Sequence, residues 1–378
     1  MSSDSIAGEC SGLRVLAFEG WDGGSHASVR ASIERHASGT WRWCTLRPAN
    51  WRWRLRLGAA DLVAAAGETG CLQEPWDAVF VTSLVSLADL AALLPAELAR
   101  TPRILYMHEN QAAYPSAAGR GDPRDAHAAA TNLMSMLAAD LILWNSRWNR
   151  DSFLQQMEDM LRRGHAPVQR DVLGEVADRS VIAWPPVETP EATDSEVLHN
   201  ASEAKARGLT LVAWPHRWEH DKGPDALLAI ERDRGAALGI GWVLLGEQFE
   251  QSPPEMAALI AHAGDRVVHA GWASRGAYET WLHACDWVLS TARHEFFGIA
   301  VVEALLTGCL PWLPNRLSYP ELVPPEDLGL TPEAPPGDPQ RRVAAIREHL
   351  KAATAPEATR RIEAHVAATA SRGGLAGR

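Results

Sequence analysis

Five cysteines, Cys10, Cys44, Cys71, Cys285 and Cys309, are all that the 378 residues contain, and no two form a Cys-x-x-Cys pair. An odd, scattered set excludes a disulfide framework and a zinc knuckle and fits reduced thiols. No apolar run reaches the ~20 residues that a membrane-spanning helix needs. The opening Met-Ser-Ser-Asp-Ser lacks the basic-then-apolar order of a secretory signal. These absences predict a cytoplasmic chain with no membrane partner. Lysine is scarce beside arginine, and the net charge is −11, which argues against bulk binding to nucleic acid while leaving room for a local basic patch. The dinucleotide fingerprint Gly-x-Gly-x-x-Gly is missing, as are internal repeats and low-complexity tracts.

What is there alternates. Leu13 to Phe18 is a short apolar strand, followed by a turn from Gly20 to Gly24 and a helix from about Ser25. Asp77 to Val81, Arg103 to Met107 and Leu141 to Trp144 repeat the strand signal, each followed by a polar or helical segment. Leu209 to Trp214, Trp242 to Leu245, Val267-Val268 and Trp287 to Ser290 do so again, with helices expected over Asp225 to Arg232 and Ala277 to Cys285. Strands alternating with helices predict parallel, doubly wound sheets. The segment 184–208, rich in Pro, Glu, Ser and Ala, reads as a linker or hinge. The expected organisation is therefore α/β of the GT-B type, two Rossmann-like domains facing an interdomain cleft. Residues 1–190 would form the first domain, 191–208 the linker, 209–350 the second domain and 351–378 a helical tail.

The densest chemical signal is Glu295-Phe296-Phe297-Gly298 through Glu303, two carboxylates eight residues apart across the predicted start of a helix. That spacing, a little over two turns, lets both acids serve one ligand while free N–H groups at the helix start receive an anion. An ordinary solvated helix face with two acids is the plain alternative. Trp214 to Gly223 follows the first strand of the second domain, and there Arg217 and Lys222 can converge on a diphosphate. His216-x-x-Glu219-His220 also matches an inverted zinc-protease spacing, but Pro215 and Gly223 bracket it as a loop. No metal site is expected, since no Asp-x-Asp pair ends a strand.

In the first domain, Gly23-Gly24-Ser25-His26 opens the first helix, where glycine lets backbone approach a phosphate. His108-Glu109-Asn110-Gln111 ends a strand with four polar side chains suited to sugar hydroxyls. Trp41-Arg42-Trp43, Arg47 and then Trp51-Arg52-Trp53-Arg54-Leu55-Arg56 interleave arginine with tryptophan, with no acid between Glu34 and Asp61. Arginines can hold phosphates while indoles stack on unpaired RNA bases. The alternation equally fits a half-exposed strand with buried tryptophans. Arg120, Arg124, Arg147 and Arg150 are the fallback basic surface.

Taken together, these blocks resemble the tRNA-queuosine α-mannosyltransferase family of retaining GT-B glycosyltransferases. The resemblance runs through Phe18 to His26, Trp51 to Arg54, Tyr106 to Gln111, Asn145-Ser146, Trp214 to Pro224, Leu245 to Glu247, Ser290 to Ala304, Gly308-Cys309 and Tyr319 to Glu321, over roughly residues 13–350. It implies transfer of mannose from GDP-mannose to the cyclopentenediol of queuosine in the anticodon of tRNA-Asp, with retention, no metal and no cofactor. Carried over, Glu295 would hold the hexose hydroxyls, Glu303 the ribose, and Arg217 with Lys222 the departing diphosphate. Gly23, Gly24 and His26, with Phe297 and Gly298, would complete the donor site, and His108 would lie near C1. Trp51, Arg52, Trp53, Arg54, Arg56, Glu109, Asn110 and Gln111 would meet the tRNA. A GT-B enzyme acting on a small or lipid acceptor and a catalytically silent RNA-binding protein are the rival readings.

Overall fold

Apolar runs of three to six residues recur between helical stretches, and each becomes a strand. A computed structural model describes residues 12–114, 126–163, 171–248 and 252–376. In the first unit the strands are β1 (Arg14–Glu19), β2 (Thr40–Thr45), β3 (Ala78–Thr82), β4 (Arg103–Met107), β5 (Leu141–Trp144) and β6 (Ser180–Ile182). They form one sheet in the order β2-β1-β3-β4-β5-β6, every neighbouring pair parallel. β3 and β5 are buried throughout, as expected of strands covered on both faces. Leu16, Phe18, Val79, Val81, Leu105, Ile142 and Trp144 join one apolar core with Leu62, Leu87 and Phe153 from the helices.

The second unit has β7 (Thr210–Pro215), β8 (Ile240–Leu245), β9 (Val267–Gly271), β10 (Trp287–Leu289) and β11 (Leu310–Trp312). Their order is β11-β10-β7-β8-β9, again all parallel. Trp214, Trp242 and Trp287 pack into its core with Val212, Leu244 and Leu289. Pro311 sits in β11, an edge strand, where a missing N–H costs no ladder bond.

Three boundaries differ from the sequence reading. The chain divides into Met1–Pro186 with Ala355–Arg378, and Val187–Thr354. The expected tail is therefore part of the first unit. Its helix, Ala355–Ala376, packs against helix Gly24–His36 and buries Ile362 and Val366 completely. Glu363, 2% exposed, receives the N–H and hydroxyl of Ser38 and the N–H of Gly39, each at 2.9 Å, and the indole N–H of Trp41 at 3.0 Å. Residues 191–208, expected as linker, contain helix Ser195–Ala206, whose start is capped by Asp194 accepting from Glu196 N and Val197 N. Val197, Ala201 and Ala204 supply its buried face at helical spacing.

The third difference is Trp51 to Arg56. It is the first turns of helix Trp51–Glu68, not a strand, because Leu55, Ala59, Leu62 and Ala66 recur every three or four residues and are buried. The strand in that region is β2, whose Trp41 and Trp43 are half-buried and stack at 5.8 Å beside Phe80. Among the described residues no helix is long and apolar enough to cross a membrane.

Candidate active site

In the second sheet the strand order reverses between β10 and β7. Ligands of open parallel sheets bind beyond the strand ends at such a point. The loops leaving these two strands meet there. Gly223, at φ +68°, brings the first loop so close that a Cβ on it would lie 2.4 Å from the carbonyl oxygen of Thr291. Trp214 Nε1 donates to Thr291 Oγ1 at 3.0 Å, and that hydroxyl donates to the carbonyl of Lys222 at 2.7 Å. His216 Nε2 lies 3.0 Å from Ser290 Oγ, which is 2.6 Å from the Tyr319 hydroxyl, all buried.

This frame places Lys222 beside Glu295. The ammonium donates to the carbonyl of His294 at 3.0 Å and lies 3.2 Å from Asp221 and 3.5 Å from Glu295. Its side chain is only 11% exposed. Burial draws a lysine's pKa down, but Glu295 and Asp221 outweigh that and hold it above its ordinary value. Burial likewise pushes the Glu295 carboxyl up, yet Lys222 brings the net shift below the usual range. His216 and His294 are lowered to about 4 by burial and then by Lys222, so both are neutral at physiological pH. Arg217 is 53% exposed and pairs with Glu219 at 3.1 Å. His220 lies on the short turn His220–Lys222, so no continuous helix joins it to His216.

The predicted helix starts one residue later than expected, at Ile299, with Gly298 as its cap at φ +97°, a conformation that favours glycine. Phe296 and Phe297 are buried, and Ser318 Oγ donates to the Phe297 carbonyl at 2.7 Å. Glu303 is buried within that helix, with a hydrogen bond to each carboxylate oxygen. Arg275 Nη2 donates to one carboxylate oxygen at 2.7 Å and the Tyr278 hydroxyl to the other at 2.9 Å. Burial raises its pKa, against the opposing pull of Arg275.

The first unit carries a second cluster at the ends of β1 and β4. Glu19, fully buried, accepts from Trp21 N at 2.7 Å and from His26 Nδ1 at 3.2 and 3.1 Å. The rings of His26 and His108 stack with centroids 4.0 Å apart and 27° between planes. Glu19, His26 and His108 offer ligand atoms within 4.8 Å of one another. Stacked rings aim their lone pairs along nearly parallel lines, however, whereas a tetrahedral ion needs them to converge at ~2 Å. The set suits an acid–imidazole pair better than a metal. Gly23 caps helix Gly24–His36, and a Cβ on it would strike the Pro48 ring at 2.7 Å.

The remaining polar residues after β4 are spent on structure. Asn110, wholly buried, donates to Asn149 Oδ1 at 2.8 Å and accepts from Ala113 N at 2.7 Å. Gln111 is held by Asn132 through its N–H and donates from Nε2 to Glu109 at 2.8 Å. The amides of Asn110 and Gln111 thus close the loop after β4, with the Glu109 carboxylate as one of their acceptors.

The geometry has recognisable relatives. A curated tRNA-queuosine α-mannosyltransferase of Drosophila melanogaster is 31% identical over 343 residues, which cover 86% of this chain and 85% of the fly protein. The model for the N-terminal part of tRNA-queuosine α-mannosyltransferases matches residues 14–187. This chain belongs to the tRNA-queuosine α-mannosyltransferase family. Among solved structures, Anabaena Alr3699/HepE in complex with UDP is 18% identical with a TM-score of 0.57, covering 96% of this chain and 99% of its own. Sucrose-phosphate synthase from Thermosynechococcus elongatus is 16% identical with a TM-score of 0.58, covering 97% and 98%. At such identities the likeness concerns the fold, which is GT-B, and the chain is a glycosyltransferase.

Within this family member the Trp/Arg run divides. Trp53 is 59% exposed and Leu57, one turn on, 53%. Arg52 and Arg56 are exposed, and Arg52 lies over the Trp51 ring at 4.8 Å. Arg54 instead turns inward, donating to the Arg47 carbonyl at 3.2 Å and pairing with Asp61 at 3.3 Å. Arg120 and Arg124 lie outside the described residues. Sequence reasoning missed Glu19, Asp221, Arg275 and Tyr278. Each gains its place only through a partner distant along the chain or by facing a loop, and the one local clue was the rarity of a glutamate ending an apolar strand at Glu19.

Proposed function

We propose that the protein transfers mannose from GDP-mannose to the cyclopentenediol of queuosine in tRNA-Asp, with retention and without a metal ion. The observation that carries this reading is Lys222 lodged against Glu295 where the loops after β7 and β10 meet. In transfer the C1–O bond to the diphosphate breaks and a bond from C1 to the acceptor oxygen forms. Negative charge grows on the departing diphosphate, and Lys222, with Arg217 on the same loop, supplies fixed positive charge there. Glu295 accepts from hexose hydroxyls, Glu303 from the ribose, and the N–H groups after Gly298 face the phosphate. His108, Gly23, Gly24 and His26 are the groups that the first unit offers to substrate. The departing phosphate takes the acceptor's proton, so no protein nucleophile is assigned.

Exposed Trp53, Arg52 and Arg56 support an RNA acceptor, because they combine a stacking ring with phosphate-binding charge on an otherwise acidic protein. The test is incubation of the purified protein with queuosine-containing tRNA and a panel of nucleotide sugars, with and without EDTA, then digestion and mass spectrometry of the nucleosides. A hexose added to queuosine from GDP-mannose, undiminished by chelator, is the expected result. Transfer from a different nucleotide sugar alone, or transfer abolished by EDTA and restored by Mg²⁺, would overturn the donor or the metal assignment respectively.

A further inference from the structure

The buried acid at the end of β1 has no part in the reading above, although it touches one of the substrate-facing imidazoles. Glu19 chelates the His26 Nδ1–H with both oxygens, while its nearer oxygen stays 3.9 Å from His108 Nε2, beyond hydrogen-bonding distance. The two rings nevertheless lie face to face, with the Tyr106 ring edge-on to His108 at 4.7 Å. Asn145 Nδ2 donates to the His108 carbonyl at 2.6 Å and fixes that backbone. Two imidazolium rings stacked at this separation would repel strongly, so only one can be charged, and the carboxylate selects which.

We propose that Glu19 is a positioning residue of glycosyl transfer, holding His26 as a cation and thereby keeping the stacked His108 neutral toward the substrate. The proposal rests on the glycosyl-transfer reading, in which His108 lies near C1. Glycosyl transition states carry positive charge at that carbon. A neutral imidazole accepts and donates hydrogen bonds beside it, whereas an imidazolium would oppose it. The charges facing the pair agree. His26 loses basicity on burial, but Glu19, with Glu109 and Asp22, more than restores it, and Asp22 is itself paired with Arg30 at 2.9 Å. His108 is lowered well below the ordinary range by burial and then by His26.

Imidazole ¹⁵N shifts of the purified protein test the charge states without any substrate, so their outcome is independent of the donor and acceptor assignments. His26 should be protonated and His108 neutral at neutral pH, and Glu19→Gln should discharge His26 while keeping the shape. In the transfer assay, the acid limb of the kcat/KM profile should then move up by roughly one pH unit, because His108 no longer faces a cation. His26→Gln should move it further, since Glu19 then acts on His108 alone. A charged His108 in the parent would overturn the proposal. So would a uniform loss of kcat in both variants with the acid limb unmoved, the signature of a purely structural acid.

Discussion

The ammonium of Lys222 lies 3.5 Å from Glu295 Oε2 in a site where the lysine is almost wholly covered. Each charge is therefore the other's main compensation for burial; losing Lys222 removes the ammonium beside Glu295, whereas losing Glu295 leaves the ammonium with Asp221 and the His294 carbonyl. Lys222→Ala is expected to weaken GDP binding and to slow transfer together, by on the order of a hundredfold in kcat/KM. Glu295→Gln, which keeps shape and loses charge, should reduce transfer while GDP still binds. Calorimetry with GDP and steady-state kinetics check both. The pair's linkage to pH follows from its directions. The raised Lys222 value stabilises below the unfolded lysine pKa and is lost as pH rises through the folded one. The lowered Glu295 value stabilises above the unfolded glutamate pKa and is lost as pH falls through the folded one. Melting of the parent should thus gain from this pair throughout mildly acid to mildly alkaline buffers, and Lys222→Ala should remove that gain across the same window.

Glu303 gives a separate pH dependence, set by a raised rather than a lowered pKa. Burial holds its pKa above the ordinary range and Arg275 restrains it. Donor binding through the carboxylate is then present above that raised value and lost as pH falls through it. Arg275→Met, by removing the restraint, should shift the loss toward neutral pH, while Glu303→Ala should weaken GDP by about tenfold, ~1.4 kcal/mol, above the raised pKa and by progressively less as pH falls through it. GDP titrations over a pH series distinguish them. Parent affinity in Glu303→Ala would remove this residue from the donor site.

The exposed face of helix Trp51–Glu68 gives a separate expectation. Arg52→Ala with Arg56→Ala should raise the KM for tRNA, leave donor affinity nearly untouched, and flatten the salt dependence by somewhat under one unit per arginine. Trp53→Ala should weaken tRNA binding by about 1–3 kcal/mol if a base stacks there. Arg54→Ala serves as the control, since its guanidinium is committed to Arg47 and Asp61. Parent-like tRNA binding by the double variant at every salt concentration would move the RNA surface elsewhere, with Arg147 and Arg150 the next candidates.

Stability should hinge on Glu363. Its buried carboxylate gathers four donors from Ser38, Gly39 and Trp41, and Glu363→Ala leaves these partly buried groups without that acceptor. A loss of about 2–4 kcal/mol is expected, read as a lower melting temperature and denaturant midpoint. GDP affinity of the folded fraction should not change.

Much of this protein was legible along the chain. The alternation of short apolar runs with helical stretches specified parallel sheets, because buried strands and amphipathic helices leave different local periods. Glu295, Glu303, Lys222 and His108 could be put forward from the chain because motif and strand end coincide within a few residues, and the fold does bring Lys222 to Glu295. The Trp41 to Arg56 run stayed ambiguous, since one alternating composition spans an edge strand and the start of a helix, and only the buried Leu55, Ala59 and Leu62 separate the two.

Tertiary structure alone decided the rest. Glu363 meets Ser38 across 325 positions, and Arg275 meets Glu303 across 28, contacts with no periodic trace in the chain. Whether a carboxylate holds sugar, pairs with lysine or orders a histidine depends on which dipoles and charges crowd it once water is excluded. The sequence determined which groups were available and on which element each would ride. Their protonation, pairing and exposure were settled by packing, because burial sets the strength of every charge interaction and burial is a property of the folded chain.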